Sequence, residues 1–159
     1  MLATKVKTIY LSLFLAFICL LLPWSGFMLT IRPDFLLLVI IFWLIRAPSV
    51  CNVGTAWFAG LLMDLATGGI FGQYALAYTV TAFFAVMYQR RLVLFSGTQQ
   101  LAYLTLLLLT SQISLLILKI FAGMQFIGWA YFLPSVSGVL LWRVAVFFGL
   151  NAAGRARGD

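Results

Sequence analysis

The sequence has no histidine, and its 159 residues include only three acids, Asp34, Asp64 and Asp159. Without histidine there is no Ser-His or Cys-His nucleophile pair and no ordinary zinc site. The acids offer no catalytic pair, because Asp159 sits in the tail while Asp34 and Asp64 belong to different apolar segments. Neither a Gly-x-Ser-x-Gly elbow nor a phosphate-binding loop is present. Cysteine is scarce as well. Cys19 lies inside the first apolar run and Cys51 in a short polar loop, so they belong at different depths and read as small core residues rather than a disulfide. These absences argue against an enzyme and against a resident metal or cofactor.

Charge is the next shortage. Only 8% of residues are charged, 65% are hydrophobic and the mean hydropathy is +1.14. A soluble domain carries roughly a quarter charged residues, so this composition belongs to an all-α polytopic membrane protein. The segments between apolar runs are too short for a separate aqueous module. The ten Lys and Arg are scattered at segment ends, where they orient the chain and meet lipid headgroups, so no nucleic-acid partner is implied.

The apolar runs predict six helices at about 8–29, 33–46, 49–68, 70–88, 99–122 and 127–150, within a single transmembrane domain over 1–159 and a frayed cytoplasmic tail at 151–159. The first reads as a retained signal anchor after Lys5 and Lys7, kinked at Pro23, with Trp24 at the interface. The second is short: Phe35 to Ile45 rises only about 16 Å, against a hydrocarbon core of about 30 Å. Charge decides whether it crosses. With six spans, Lys5, Lys7, Arg46, Arg90, Arg91, Arg155 and Arg157 share one side, and only Arg32 and Lys119 face the other, with Arg143 inside the sixth helix. Removing the second span leaves three cations on the N-terminal side against six. The positive-inside rule therefore favours six spans with both termini cytoplasmic.

The stretch Gly54–Tyr78 stands out. Asp64 is the acid inside a long apolar run, and Ala56, Gly60, Asp64 and Gly68 recur at four-residue spacing on one helix face. Small residues let a second helix approach closely, and an acid at that seam needs a partner. Two readings stand. Asp64 couples to protons or cations, or it is a buried polar latch, either paired with Arg32 or Lys119 or accepting hydrogen bonds that fix helix packing. Its place near the outer surface and the lack of a polar pathway favour the latch. Gly68-x-x-x-Gly72 straddles a turn and carries little weight as a helix-dimer motif. Ser12 and Ala16 share a face on the first helix, as do Ala77, Thr81 and Ala85 on the fourth, and both read as packing faces.

Several blocks resemble one family. Arg32-Pro33-Asp34-Phe35-Leu36-Leu37-Leu38, Gly60-Leu61-Leu62-Met63-Asp64, Gly68-Gly69, Gly72-Gln73 and Ala75-Leu76-Ala77-Tyr78 are similar to MreD, the rod shape-determining membrane protein family of bacteria. The specific signal lies in residues 32–37 and 54–78. The resemblance implies a non-enzymatic scaffold of the cell-elongation machinery in the bacterial inner membrane. Its partners would be MreC, MreB, RodA and the penicillin-binding transpeptidase that works with RodA, all engaged in lateral peptidoglycan synthesis. It marks Arg32, Pro33, Asp34, Gly72 and Gln73 as candidate partner contacts and Arg90 and Arg91 as a cytoplasmic basic contact to MreB or anionic lipid. It also implies a fold like the substrate-binding subunits of energy-coupling-factor transporters. That supplies an alternative function, the binding of a vitamin-type small molecule by polar groups such as Asp64, Gln73, Arg32 and Lys119.

Overall fold

Proline ends the first helix earlier than its hydropathy suggests. In a computed structural model that describes residues 2–23, 25–26, 31–92, 96–125 and 128–155, α1 runs Leu2–Leu21 and closes there instead of continuing to Leu29. The last helical hydrogen bond, Leu22 N to Ile18 O at 3.2 Å, falls just before Pro23. Proline disfavours helix in the residue before it and brings no N–H of its own. Trp24 and residues 27–30 lie outside the described residues.

The other elements are α2 (Phe35–Arg46), α3 (Val53–Thr67), α4 (Gln73–Leu92), α5 (Gly97–Phe121), a 3-10 turn (Trp129–Phe132) and α6 (Leu133–Arg155). The described residues are thus all-helical, with no strand. Local chemistry sets the boundaries. Asn52 and Thr55 form a reciprocal capping box, which starts α3 at Val53 rather than at residue 49. Gly68 adopts φ 63° and closes α3, and Gly72 at φ 96° completes the turn, so α4 starts at Gln73 rather than at residue 70. At its other end α4 continues to Leu92, which places Arg90 and Arg91 in its last turn. Ser96 and Gln99 form a second capping box and open α5 at Gly97. The final helix extends to Arg155, through much of the segment expected to fray, while residues 156–159 lie outside the described residues.

The core is organised around α2. Leu36, Leu37, Leu38, Ile40, Ile41 and Leu44 are all buried, which is why this helix is apolar on every face. It packs against α1, α3, α4 and α6. The most extensive helix pair is α3 with α4, followed by α4 with α5. Ile9, Ala16 and Leu20 form the buried stripe of α1, and Trp43 Nε1 donates to Ser12 Oγ at 2.8 Å to tie α2 to it. Ala77, Thr81 and Ala85 are buried along α4. Cys51 is buried and Cys19 is exposed on α1, with no disulfide between them.

Outward faces are strongly apolar. Tyr10, Leu11, Phe14 and Leu15 on α1 and Trp57, Phe58 and Leu65 on α3 are exposed, as befits helices that meet lipid. Among the described residues only α5 is long and apolar enough by itself to cross a membrane, and the apolar helices Val6–Leu21, Phe35–Arg46 and Val53–Thr67 are shorter.

The helix directions sort the charges. Leu20 and Leu21 at the end of α1 line one cavity with Asp34 and Leu37 at the start of α2, and Trp43 near the end of α2 bonds to Ser12 in the middle of α1. The two helices therefore run antiparallel, and Lys7 lies toward the end of the bundle that holds Arg46. Gln89 Nε2 donates to Ile45 O at 3.5 Å, which brings Arg90 and Arg91 to that same end. Arg32 and Lys119 are at the opposite end.

Candidate functional site

Two helix starts in this bundle are completed by carboxylates, that of Asp64 buried and that of Asp34 half-buried. An α-helix begins with N–H groups that have no partner inside the helix, and in an apolar surrounding each must find an acceptor elsewhere.

Asp34 serves α2. Pro33 keeps the chain extended before the helix, and Asp34 then caps it, its Oδ1 accepting from Leu37 N at 3.1 Å. Its carboxylate also meets α4, where the Tyr78 hydroxyl lies 2.7 Å from Oδ1 and 2.6 Å from Oδ2. Tyr78 is fully buried, so its hydroxyl needs this acceptor, and a hydrogen bond to an ionised group is worth about 1.5–3 kcal/mol. Tyr78→Phe is therefore expected to lower stability by about 2 kcal/mol, read as earlier thermal unfolding of the purified chain in detergent. An unchanged transition would show that the Asp34–Tyr78 bond contributes nothing.

Asp64 serves α4. It is 2% exposed, and its carboxylate turns across the glycine-bounded loop to the next helix. Oδ2 accepts from Gly72 N at 3.0 Å and from Ala75 N at 3.1 Å, and Oδ1 accepts from Tyr74 N at 2.9 Å. These bonds put the negative charge on the positive end of α4, where the aligned peptide dipoles favour it. The backbone of Asp64 also closes its own helix, accepting from Gly68 N at 3.2 Å. One residue thereby ends α3 and begins α4.

Gly60 and Ala56 allow that approach. A methyl group on Gly60 would lie 2.5 Å from Ala75 Cα and 2.6 Å from Tyr74 O, so the two backbones touch there. Ala56, one turn earlier, is completely buried. Gly60 and Asp64 thus lie on the α3–α4 contact, with Ala56 buried one turn before and Gly68 at the closing turn.

The ion-pair partners expected for Asp64 are elsewhere. Among the described residues neither Arg32 nor Lys119 pairs with it; its carboxylate accepts instead from three backbone N–H groups. Lys119 Nζ instead lies over the Tyr131 ring, 5.1 Å from its centroid. Arg32 and Lys119 do converge, on a cavity of about 780 Å³ that Asp34, Tyr74, Gln112 and Ser135 also line and that Asp64 and Gln73 do not. Gln73 is buried beside Gly69, and its Oε1 has no hydrogen-bond partner among the described residues. Arg90 and Arg91 are exposed, far from both carboxylates.

Sequence reasoning missed Tyr78 as the partner of Asp34. The signal was present in part: Tyr74 and Tyr78 are four residues apart on one helix face, and a hydroxyl inside an apolar run requires an acceptor. Nothing local, however, identifies an acceptor 44 residues earlier. No group of three or more potential metal ligands exists among the described residues.

Comparison with known proteins adds an independent line. The family model described as rod shape-determining protein MreD matches residues 3–150. The rod shape-determining protein MreD of Haemophilus influenzae is 26% identical over 130 residues, covering 80% of this chain and 79% of that protein. No solved structure gives a significant match. With a family match over nearly the whole chain and the buried-acid hairpin in place, this chain belongs to the MreD family of rod shape-determining proteins.

Proposed function

We propose that this chain acts in rod shape determination as a non-enzymatic membrane scaffold, crossing the inner membrane six times with both termini in the cytoplasm. The observation that carries the reading is the use made of the two interior acids. Asp34 and Asp64 are each occupied by donors that join one helix to another, so α2, α3 and α4 form one rigid body. An ion-coupling site would leave such a group open to a pathway. Segregation of Arg46, Arg90 and Arg91 from Arg32 and Lys119 supports a cytoplasmic and an outer end. Although α2 rises only about 18 Å, it extends from the end that holds Asp34 to the end that holds Arg46, which supports its crossing a locally thinned bilayer.

In this reading the exposed apolar faces of α1 and α3 receive the membrane helix of MreC, and Arg90 and Arg91 face MreB or anionic lipid. Through them the body joins RodA and its penicillin-binding transpeptidase partner in lateral wall synthesis. The vitamin-binding alternative is weakened by the positions of Asp64 and Gln73, which lie outside the cavity that Arg32 and Lys119 line.

The test is cysteine crosslinking in a rod-shaped host. Phe14→Cys and Phe58→Cys, in a chain otherwise free of cysteine, should trap a cysteine-scanned MreC membrane helix from at least one face. Depletion of the chain should round the cells. Absence of crosslinks from every exposed face of a folded chain, or a vitamin requirement with normal cell shape, would sink the scaffold reading.

A further inference from the structure

The two cations expected to neutralise Asp64 have another use. Arg32 and Lys119 come from distant parts of the chain, one just before α2 and one in the last turn of α5, yet they line the same cavity of about 780 Å³. That volume falls within the roughly 300–1,000 Å³ usual for ligand sites. Asp34 is the acid on the cavity wall, and its oxygens already receive Tyr78 and Leu37. Neither cation forms an ion pair among the described residues, and Lys119 has only the face of Tyr131 beneath it. Two cations against one satisfied carboxylate leave the cavity net positive.

The remaining polar groups suit an anion as well. Ser135 Oγ donates to Gln112 Oε1 at 2.7 Å, which fixes the amide and leaves its NH₂ group as a donor. The exposed part of the lining is mostly apolar, formed by Leu21, Leu22, Pro23, Ala66 and Ala130 with Thr67 as the polar member. Leu21 and Leu22 line the cavity and are also 54% and 52% exposed, so the site opens at the end of α1 toward the surface that meets lipid. The two cations alone would serve any anion, but a molecule with an anionic head and an apolar tail also uses the exposed apolar lining.

We propose that the cavity between the end of α1, the start of α2, the end of α5 and the start of α6 binds the phosphate headgroup of an anionic lipid. Arg32 would present its planar fork to two phosphate oxygens and Lys119 a single ammonium charge. Partial shielding of Arg32 and Lys119 from bulk water strengthens these contacts, and the lipid tail leaves past Leu21 and Leu22. This inference does not depend on the scaffold reading. It concerns the end of the bundle opposite Arg90 and Arg91.

The experiment uses the full chain, purified in a neutral detergent and stripped of lipid, with thermal unfolding followed during titration. The probes are dihexanoyl-phosphatidylglycerol, dihexanoyl-phosphatidylcholine and inorganic phosphate. Half-maximal stabilisation by the phosphatidylglycerol should come at a concentration at least tenfold lower than for the phosphatidylcholine. Lys119→Met and Arg32→Gln should each weaken that response tenfold or more, while Lys119→Arg retains it and Arg143→Gln leaves it unchanged. Should Arg32→Gln fail to accumulate, Lys119→Met against Lys119→Arg decides alone. Equal responses to both lipids, or a folded Lys119→Met variant that responds like the parent chain, would overturn the proposal. Saturation by inorganic phosphate with displacement of the phosphatidylglycerol would overturn the lipid assignment and give the same cations to a soluble anion.

Discussion

Asp64→Ala is expected to prevent the chain from accumulating in the membrane at 37 °C. The substitution strips the acceptor from three N–H groups at the start of α4, those of Gly72, Tyr74 and Ala75. Each buried donor left without a partner costs roughly 1–3 kcal/mol. Even allowing for non-additivity, the sum is about 4 kcal/mol or more, a large part of the roughly 5–15 kcal/mol that a folded domain has in total. Asp64→Asn keeps one carbonyl oxygen but turns the other acceptor into a donor facing a donor, so it should fall between alanine and the parent. Accumulation and thermal stability of the three proteins in detergent give the ranking. If Arg32 or Lys119 were instead the groups that Asp64 neutralises, their removal would reproduce the Asp64→Ala loss. With the geometry found, Lys119→Met should be stable.

Gly60→Ala is expected to have a comparable effect by another route. The added methyl would press on backbone atoms of Ala75 and Tyr74 at 2.5 to 2.7 Å, and backbone cannot rotate out of the way as a flexible side chain can. Helices α3 and α4 must then part by about 1 Å to restore ordinary contact distances, a shift that close packing transmits rather than absorbs. The same shift stretches the bonds of 2.9–3.1 Å that Asp64 makes to α4. Overpacking alone costs about 1–3 kcal/mol, and the lost capping adds to it. Gly97→Ala is the matched control. Nothing lies within 4 Å of the added carbon there, so it should be neutral or stabilising by up to about 1 kcal/mol. A Gly60→Ala protein that unfolds at the same temperature as the Gly97→Ala protein would show that the two backbones do not need to touch.

These two residues also show where sequence reasoning succeeds and where it stops. The four-residue spacing of Ala56, Gly60 and Asp64 puts them on one helix face, because helical periodicity follows from local backbone geometry alone; Gly60 and Asp64 meet α4 there, and Ala56 is buried. The partner of Asp64 was harder. An acid in an apolar segment suggests either a cation, with Arg32 and Lys119 the visible ones, or hydrogen-bond donors that the sequence does not name. The actual donors are main-chain N–H groups, which every residue but proline carries and which no side-chain pattern marks. The glycine-bounded turn after Asp64 was the available hint, since it brings the next helix start within reach of the carboxylate. In α1, likewise, hydropathy continued past Pro23 while the helix did not, because backbone sterics and not side-chain solubility end it.

What the sequence by itself determined is the class of molecule and its parts: an all-helical membrane chain, its capping residues, its seam of small residues and the asymmetric placement of its cations. Each follows from composition, period or the chemistry of adjacent residues. Only the tertiary structure decided that α2 is the buried centre, that Tyr78 reaches back to Asp34, and that Arg32 and Lys119 share a cavity while Asp64 is satisfied without them. Those outcomes depend on contacts between residues tens of positions apart. In an apolar medium the helices settle where packing is close and every buried donor meets an acceptor, and that condition is met by the whole bundle rather than by any one segment.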